Sequence, residues 1–305
     1  MEKIAIFTDS ACDLKEEDIK EYGIRLLPLQ IIYEDKTYRD RVEISRDEVY
    51  ENFDKEVPKT SLPMGVDIDE MFKTLIKEGY THAIGVMISG GLSGTANSVS
   101  LIASEYPEIE TFVFDTLNLS MAEGILAKKA AIMAREGKTF AEIRDTLPTL
   151  KKNVDTYYYV ATLEYLIKGG RIGKVAGTIG EMLNIKPIIS VNEEGVYYTV
   201  EKARGSKQAY NKLISILQEN LQKTKCKVWV MHGGAKKEAI AMVERIKDLP
   251  GILTLEYAQI SPALGVHTGK GLLGICIERI IGKYDLDVNV SLYYNKPMAR
   301  GALKS

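Results

Sequence analysis

Val86-Met87-Ile88-Ser89-Gly90-Gly91-Leu92-Ser93-Gly94-Thr95 sets the fold class of this 305-residue chain. The apolar run Ala83 to Ile88 predicts a buried strand, and Thr95 to Glu105 predicts a helix. Between them lies a turn rich in Ser and Gly. A strand, turn and helix in this order point backbone N–H groups outward at the positive end of the helix dipole. Ser89, Ser93 and Thr95 add hydroxyl donors. The segment therefore suits an anion: a phosphate, a carboxylate or the oxyanion of an acyl transfer.

The flanking sequence extends the pattern. Ile4 to Phe7 predicts a first strand, followed by the polar loop Thr8-Asp9-Ser10-Ala11-Cys12-Asp13. Ligands of open α/β sheets collect at such strand ends. Arg25 to Tyr33 reads as one further strand, and Val57 to Pro63 as an extended segment. Ser45 with Glu48, and Thr139 with Glu142, have capping-box spacing. Asn118 to Arg135 predicts a long helix. This alternation predicts a doubly wound, mostly parallel sheet over residues 1–155. Beyond it, Lys186 to Val191 and Gly195 to Val200 read as a hairpin, Ser261 to Gly271 as a turn and Leu272 to Ile277 as a closing strand. A hairpin among crossover helices predicts a mixed-sheet α/β domain over 156–285, with a tail over 286–305.

Composition excludes several function classes. Hydrophobic residues make up 45% and charged residues 27%, the proportions of a globular protein. A net charge of -2 argues against a general nucleic-acid binder. Cys12, Cys226 and Cys276 lie far apart and form no Cys-x-x-Cys pair, so neither a disulfide framework nor a zinc site is expected. The N-terminus lacks a signal-peptide pattern, and no apolar run reaches the ~20 residues that span a bilayer. A cytoplasmic protein without an integral membrane segment is expected.

The nucleotide motifs fail. No Gly-x-Gly-x-x-Gly follows the first strand, and Gly169 to Lys174 and Gly269 to Gly271 depart from a phosphate loop. A serine esterase is the sharper alternative, because Ser93, Asp115 and His267 follow the chain order of α/β-hydrolase triads. Yet Thr95 stands where the nucleophile elbow needs glycine, and Asp115 and His267 belong to different predicted domains. His82, His232 and His267 share no metal-ligand spacing. His82 and His232 sit at strand ends, where structural hydrogen bonding is the default. His267, between Gly265 and Gly269, is placed to approach a ligand.

Five features, in order and spacing, resemble the DegV family of bacterial fatty-acid-binding proteins that serve fatty acid kinase. They are Thr8-Asp9-Ser10 with Asp13, Lys59-Thr60-Ser61, Leu92-Ser93-Gly94-Thr95, Lys168-Gly169-Gly170-Arg171-Ile172, and the Ser261-Pro262 to His267-Thr268-Gly269 turn. The resemblance implies a two-domain α/β protein that binds one long-chain fatty acid between its domains. It would present the carboxylate to a separate kinase, which makes an acyl phosphate for phospholipid synthesis. Such a chain is a lipid-binding subunit rather than an enzyme and needs no cofactor. By resemblance Ser61 and Ser93 are the leading carboxylate ligands, with Thr60, Gly94, Thr95 and His267 beside them. Arg171 and Arg204 match positions tied to kinase docking or phosphotransfer. Gly90, Leu62 and Lys270 depart from the more usual Ser, Gln and Pro, which touches chain preference and partner fit.

Physical chemistry agrees with a carboxylate held by hydroxyls. No basic residue occurs between Lys77 and Lys128, so no counter-ion is expected from the first domain's anion turn. A charge-assisted hydrogen bond contributes about 1.5–3 kcal/mol, and burying the tail contributes about 0.8 kcal/mol per CH₂. Met121, Met133 and Met182 fall on predicted helices, where they serve equally as tunnel lining or as core. A third reading, a small-molecule sensor or structural subunit, would bind another ligand.

Overall fold

A computed structural model of the chain describes residues 2–178 and 185–281. The first half runs β1 (Ile4–Asp9), α1 (Glu16–Tyr22), β2 (Arg25–Leu27), β3 (Gln30–Ile32), β4 (Thr37–Arg39), α2 (Arg46–Asn52), β5 (Lys59–Ser61) and α3 (Gly65–Lys77). It continues through β6 (His82–Met87), α4 (Thr95–Ala103), β7 (Glu110–Asp115), α5 (Met121–Arg135) and α6 (Phe140–Lys151). The second half comprises β8 (Val154–Tyr159), α7 (Glu164–Lys168), β9 (Ile185–Val191), β10 (Tyr197–Arg204), α8 (Gly205–Leu221), β11 (Cys226–Gly233), α9 (Lys236–Ile246), β12 (Ile252–Gln259), α10 (Pro262–Thr268) and β13 (Leu272–Arg279).

The first sheet has the order β2-β1-β6-β7 and is parallel throughout. Its strands are apolar on both faces because helices cover both. Ala5, Phe7, Ala83 and Met87 face Ile68, Phe72 and Leu75 of α3. Ile6, Ile84 and Val86 join the core that holds Ile125 and Leu126 of α5. This is the composition that doubly covered parallel sheets require. Both capping boxes form as their spacing predicts. The second sheet is mixed, in the order β10-β9-β8-β13-β11-β12, and only β11 and β12 run parallel.

Helix α5 lies between the two sheets. It packs on β1 and β6 on one side and on β8 and β13 on the other. Ala122, Ala127, Ala130 and Ala131 are buried there, and one continuous apolar core runs from Ile6 to Cys276 across it. Lys129 of α5 pairs with Glu278 of β13 at 2.6 Å, with both side chains nearly excluded from solvent. Cys12, Cys226 and Cys276 are buried free thiols. No helix among the described residues is long and apolar enough to cross a membrane.

Three local expectations are corrected. Arg25 to Tyr33 is two strands, because Pro28 lacks the N–H a parallel ladder needs and turns the chain away. β3 then leaves for a separate antiparallel sheet of order β4-β3-β5, which places Thr60 opposite Ile31. The helix expected from Asn118 begins at Met121, after Ser120 at φ 59° and ψ -143°. Ser261 to Gly271 is a helix rather than a turn: Pro262 opens α10, and Gly269 ends it at φ 73°. Met182 and the tail over 286–305 lie outside the described residues.

Removing one partner of a buried ion pair leaves a charge without compensation. Glu278→Ala takes the buried carboxylate away from both Lys129 and Lys227, so urea unfolding should show a loss of about 3–5 kcal/mol. A loss within 1 kcal/mol of wild type would show that the α5–β13 pair does not hold the sheets together.

Candidate carboxylate-binding site

The end of β6 makes the strand-to-helix crossing that the opening stretch predicts. The N–H groups of Ser89, Gly90 and Gly91 do not point outward to an anion, however: they donate to the Asn118 carbonyl, the Asp115 carboxylate and the Ser89 hydroxyl. Leu92 and Ser93 N–H groups both donate to the Ser89 carbonyl, which curls the chain into a tight turn before α4. The Asp9 carboxylate, fully buried, accepts from the N–H of Ile88 at 2.9 Å and of Ala11 at 3.0 Å. Burial raises its pKa to about 6 against those hydrogen bonds. The first strand's polar loop thus braces the strand end from behind and does not itself face a ligand.

A cavity of ≈ 170 Å³ opens beside this turn. Thr60, Ser61, Ser93, Arg171 and His267 supply its polar lining; Leu29, Ile88, Leu92, Leu264 and Tyr197 are among its apolar residues. Ser61 is exposed, whereas Leu29, Ile88 and Leu264 are buried. The polar groups therefore sit toward solvent and the apolar ones toward the core. Residues from both sheet units build it.

Two hydroxyls are held by neighbours. Thr60 Oγ1 lies 2.6 Å from His267 Nε2, a contact that spans 207 positions of sequence. Ser93 Oγ lies 2.8 Å from Thr95 Oγ1, which is fully buried. His267 Nδ1 has no hydrogen-bond partner. Gly169 lies against it so closely that a Cβ there would stand 2.1 Å from Nδ1. Burial first, and then the Arg171 guanidinium, lower the His267 pKa to about 4, so the ring is neutral near pH 7.

Arg171 corrects one expectation. Its Nη1 donates to the Gly169 carbonyl at 2.6 Å and its Nε to the Leu92 carbonyl at 3.2 Å. A guanidinium from the second unit therefore lines a pocket for which no counter-ion was expected. The resemblance ties it to docking or phosphotransfer, and a place in the wall is compatible with either. Thr95 and Gly94 do not line the cavity: Thr95 supports Ser93, and Gly94 is the N-cap of α4. Arg204 is exposed at the start of α8, apart from the cavity. Ser89 is not an anion donor either, since its hydroxyl donates to the Gly195 carbonyl at 2.6 Å and ties the turn to the β9–β10 hairpin.

The esterase triad is not assembled. His267 engages Thr60, Ser93 engages Thr95, and the Asp115 carboxylate accepts from the N–H groups of Gly90 and Leu117. His82 borders Glu110 and His232 is buried near Tyr257, both apart from the cavity. No metal-binding group of His, Cys, Asp or Glu occurs among the described residues. Tyr197 was not foreseen as a lining residue, because an aromatic in an apolar strand carries no signal beyond core.

Two covered α/β sheets with a cavity between them define a protein of the two-unit α/β class. Residues 3–279 match the family described as "Uncharacterised protein, DegV family", and the chain belongs to that family. A DegV domain-containing protein of Clostridium acetobutylicum is 51% identical over 277 residues, covering 91% of this chain and 99% of the relative. Among solved structures, a fatty acid binding DegV protein of Bacillus subtilis superposes with a TM-score of 0.85 at 29% identity, covering 92% of this chain and 100% of that one. A stearic acid-binding protein of Eubacterium ventriosum superposes with 0.81 at 28% identity, covering 93% and 99%.

The lowered His267 pKa has a signed consequence. Unfolded, the ring takes up a proton near pH 6.5; folded, it does so only near pH 4. Its contribution to stability is therefore whole above pH 6.5 and is lost as the pH falls toward 4. His267→Gln should flatten the stability-versus-pH curve between those limits, read by urea unfolding at pH 7, 5.5 and 4.5. Parallel curves for variant and wild type would refute this.

Proposed function

We propose that this chain binds a long-chain fatty acid with its carboxylate at the outer end of the cavity and its tail toward the core. It presents that carboxylate to a separate fatty acid kinase. The observation that carries the reading is the segregation of the cavity: hydroxyls, imidazole and guanidinium on the solvent side, Leu29, Ile88 and Leu264 inward. The fatty-acid-binding descriptions of the solved relatives support the same ligand class.

The hydrogen-bond directions follow from the ligand's chemistry. A carboxylate only accepts, so Thr60 and Ser93 must donate to it. Thr60 then accepts from His267, which places the proton on Nε2 and leaves Nδ1 bare, in keeping with its lack of a partner. Ser93 in turn accepts from Thr95. A neutral imidazole does this without adding a charge that the carboxylate would have to neutralise. Arg171 supplies the one cation among the lining residues, and its two carbonyl contacts fix its reach.

The cavity is smaller than the roughly 300–1,000 Å³ of pockets that enclose drug-sized ligands. It holds the head group and the start of the tail, and the remaining methylenes must part core side chains. At about 0.8 kcal/mol per buried CH₂ the tail repays that rearrangement. Phosphoryl transfer then belongs to the partner: a carboxylate oxygen attacks the terminal phosphorus of ATP, the bond to the bridging oxygen breaks, and ADP leaves. Exposed Ser61 and Gly94 border the face the kinase must approach, and Arg204 is assigned to contact with it. On this reading the chain is not itself an enzyme, needs no cofactor and works in the cytoplasm, within phospholipid synthesis.

Purified protein should carry a fatty acid that organic extraction and mass spectrometry identify; protein that stays empty after incubation with palmitate and oleate refutes the reading. Ser93→Ala should raise the fatty acid Kd about tenfold or more, the cost of one charge-assisted hydrogen bond. Gly169→Ala should do the same by pushing His267 off Thr60. Arg204→Ala should leave the Kd unchanged and slow acyl-phosphate formation by the kinase. Release of nitrophenol from a nitrophenyl ester, abolished by Ser93→Ala, would instead promote the esterase.

A further inference from the structure

Asp13 is fully buried, lies outside the cavity and has no part in the ligand contacts above. Its carboxylate nevertheless reaches across to the second sheet unit. One oxygen accepts from the N–H of Ser261 at 2.6 Å and the other from the hydroxyl of Ser120 at 2.6 Å. Arg46 stands 4.0 Å from Asp13 and donates through Nη1 to the carbonyl of Gln259 at 2.7 Å. The three-residue segment ahead of α10 is therefore gripped at two points by the first unit.

The backbone is bent to make this grip. Asp13 has φ 54° and Ser120 φ 59°, both in the left-handed region that non-glycine residues avoid. Arg41, at φ 64°, donates to the Leu14 carbonyl beside them. Positive φ at both partners of one hydrogen bond marks a contact that the surrounding structure enforces. Farther along α10, Gly265 admits Tyr50 of the first unit, since a Cβ there would stand 2.5 Å from the Tyr50 hydroxyl oxygen.

We propose that Asp13 is a positioning residue of the carboxylate site, fixing the start of α10 and thereby the His267 imidazole against Thr60. The inference rests on the fatty acid reading for its role in binding, though not for its geometry. His267 lies six residues beyond Ser261, about 9 Å along a helix. A tilt of about 10° at the start moves the far end by about 1.5 Å. That is enough to lengthen a 2.6 Å contact past any hydrogen bond. Asp13 therefore sets the direction of the Thr60 proton from a place no ligand touches.

The test is the imidazole ¹⁵N spectrum of the ligand-free full chain, which holds only three histidines. Asp13→Ala should shift the His267 nitrogens toward the values of a ring freed from Thr60. Asp13→Asn should restore them, because its carbonyl can accept from Ser261 and its amide can donate to Ser120. Ser261→Pro deletes the N–H, together with a hydroxyl that has no hydrogen-bond partner, at a position already at φ -61°, and should reproduce Asp13→Ala. In palmitate titrations Asp13→Ala should weaken binding at least tenfold and add nothing in a His267→Ala background. Unchanged His267 nitrogens in folded Ser261→Pro, or additive losses with His267→Ala, overturn the proposal. A wild-type chain that takes up no palmitate, with His267 nitrogens that shift in Asp13→Ala and Ser261→Pro and not in Asp13→Asn, defeats the fatty acid reading and leaves the positioning role standing.

Discussion

The contact between Thr60 and His267 is the constraint around which the cavity is arranged. It joins an edge strand of a small antiparallel sheet to the last turn of a short helix, 207 residues away. Neither element is stable alone: β5 is three residues long and α10 seven. An isolated helix of that length does not hold in water. Each is therefore placed by its neighbours, β5 by pairing with β3 and α10 by the side chains that grip it. Without such support the Thr60 hydroxyl would rotate freely; with it, the hydroxyl stays 2.6 Å from the imidazole.

The support is polar and buried, which makes it costly and specific. Asp9, Asp13, Asp40 and Glu123 are all buried behind the site, and burial raises the pKa of each. They accept from backbone N–H groups and hydroxyls, among them the N–H of Ile88, which lines the cavity, and that of Ser261, two residues before the lining Ala263. Backbone conformations such as that of Ser120 cost about 1–3 kcal/mol each and persist only where the fold over-determines them. The shared apolar core around α5 supplies that over-determination, because moving either sheet unit would expose it.

Much of this was legible in the residues. Strand and helix alternation gave the parallel sheet, and the Ser/Gly turn at Ser89 to Thr95 was recognised as a strand-to-helix crossing. Thr60, Ser61, Ser93 and His267 do meet at one cavity. The roles within the motifs were less accessible. Ser89 and Ser93 are four positions apart in the same turn, yet one ties down a hairpin and the other lines the cavity. Periodicity has no term for which hydroxyl a distant carbonyl will claim. The break at Pro28 stands in the sequence inside an apolar run that otherwise reads as one strand.

The sequence by itself determined the class of the sheets, the capping boxes and the residue types gathered at the anion turn, because those depend on local pattern and on hydrophobic spacing. Only the tertiary structure decided that Arg171 stands in the wall, that Thr95 serves Ser93, and that Asp13 holds α10. The second is a contact within one turn, two positions apart; the first and last depend on residues brought together from the two units. Their separations in sequence, 248 positions for Asp13 and Ser261, exceed any local pattern. The turn at Ser93 offers an anion site in outline; the second unit gives it a cation and an oriented imidazole, and both units line its apolar interior.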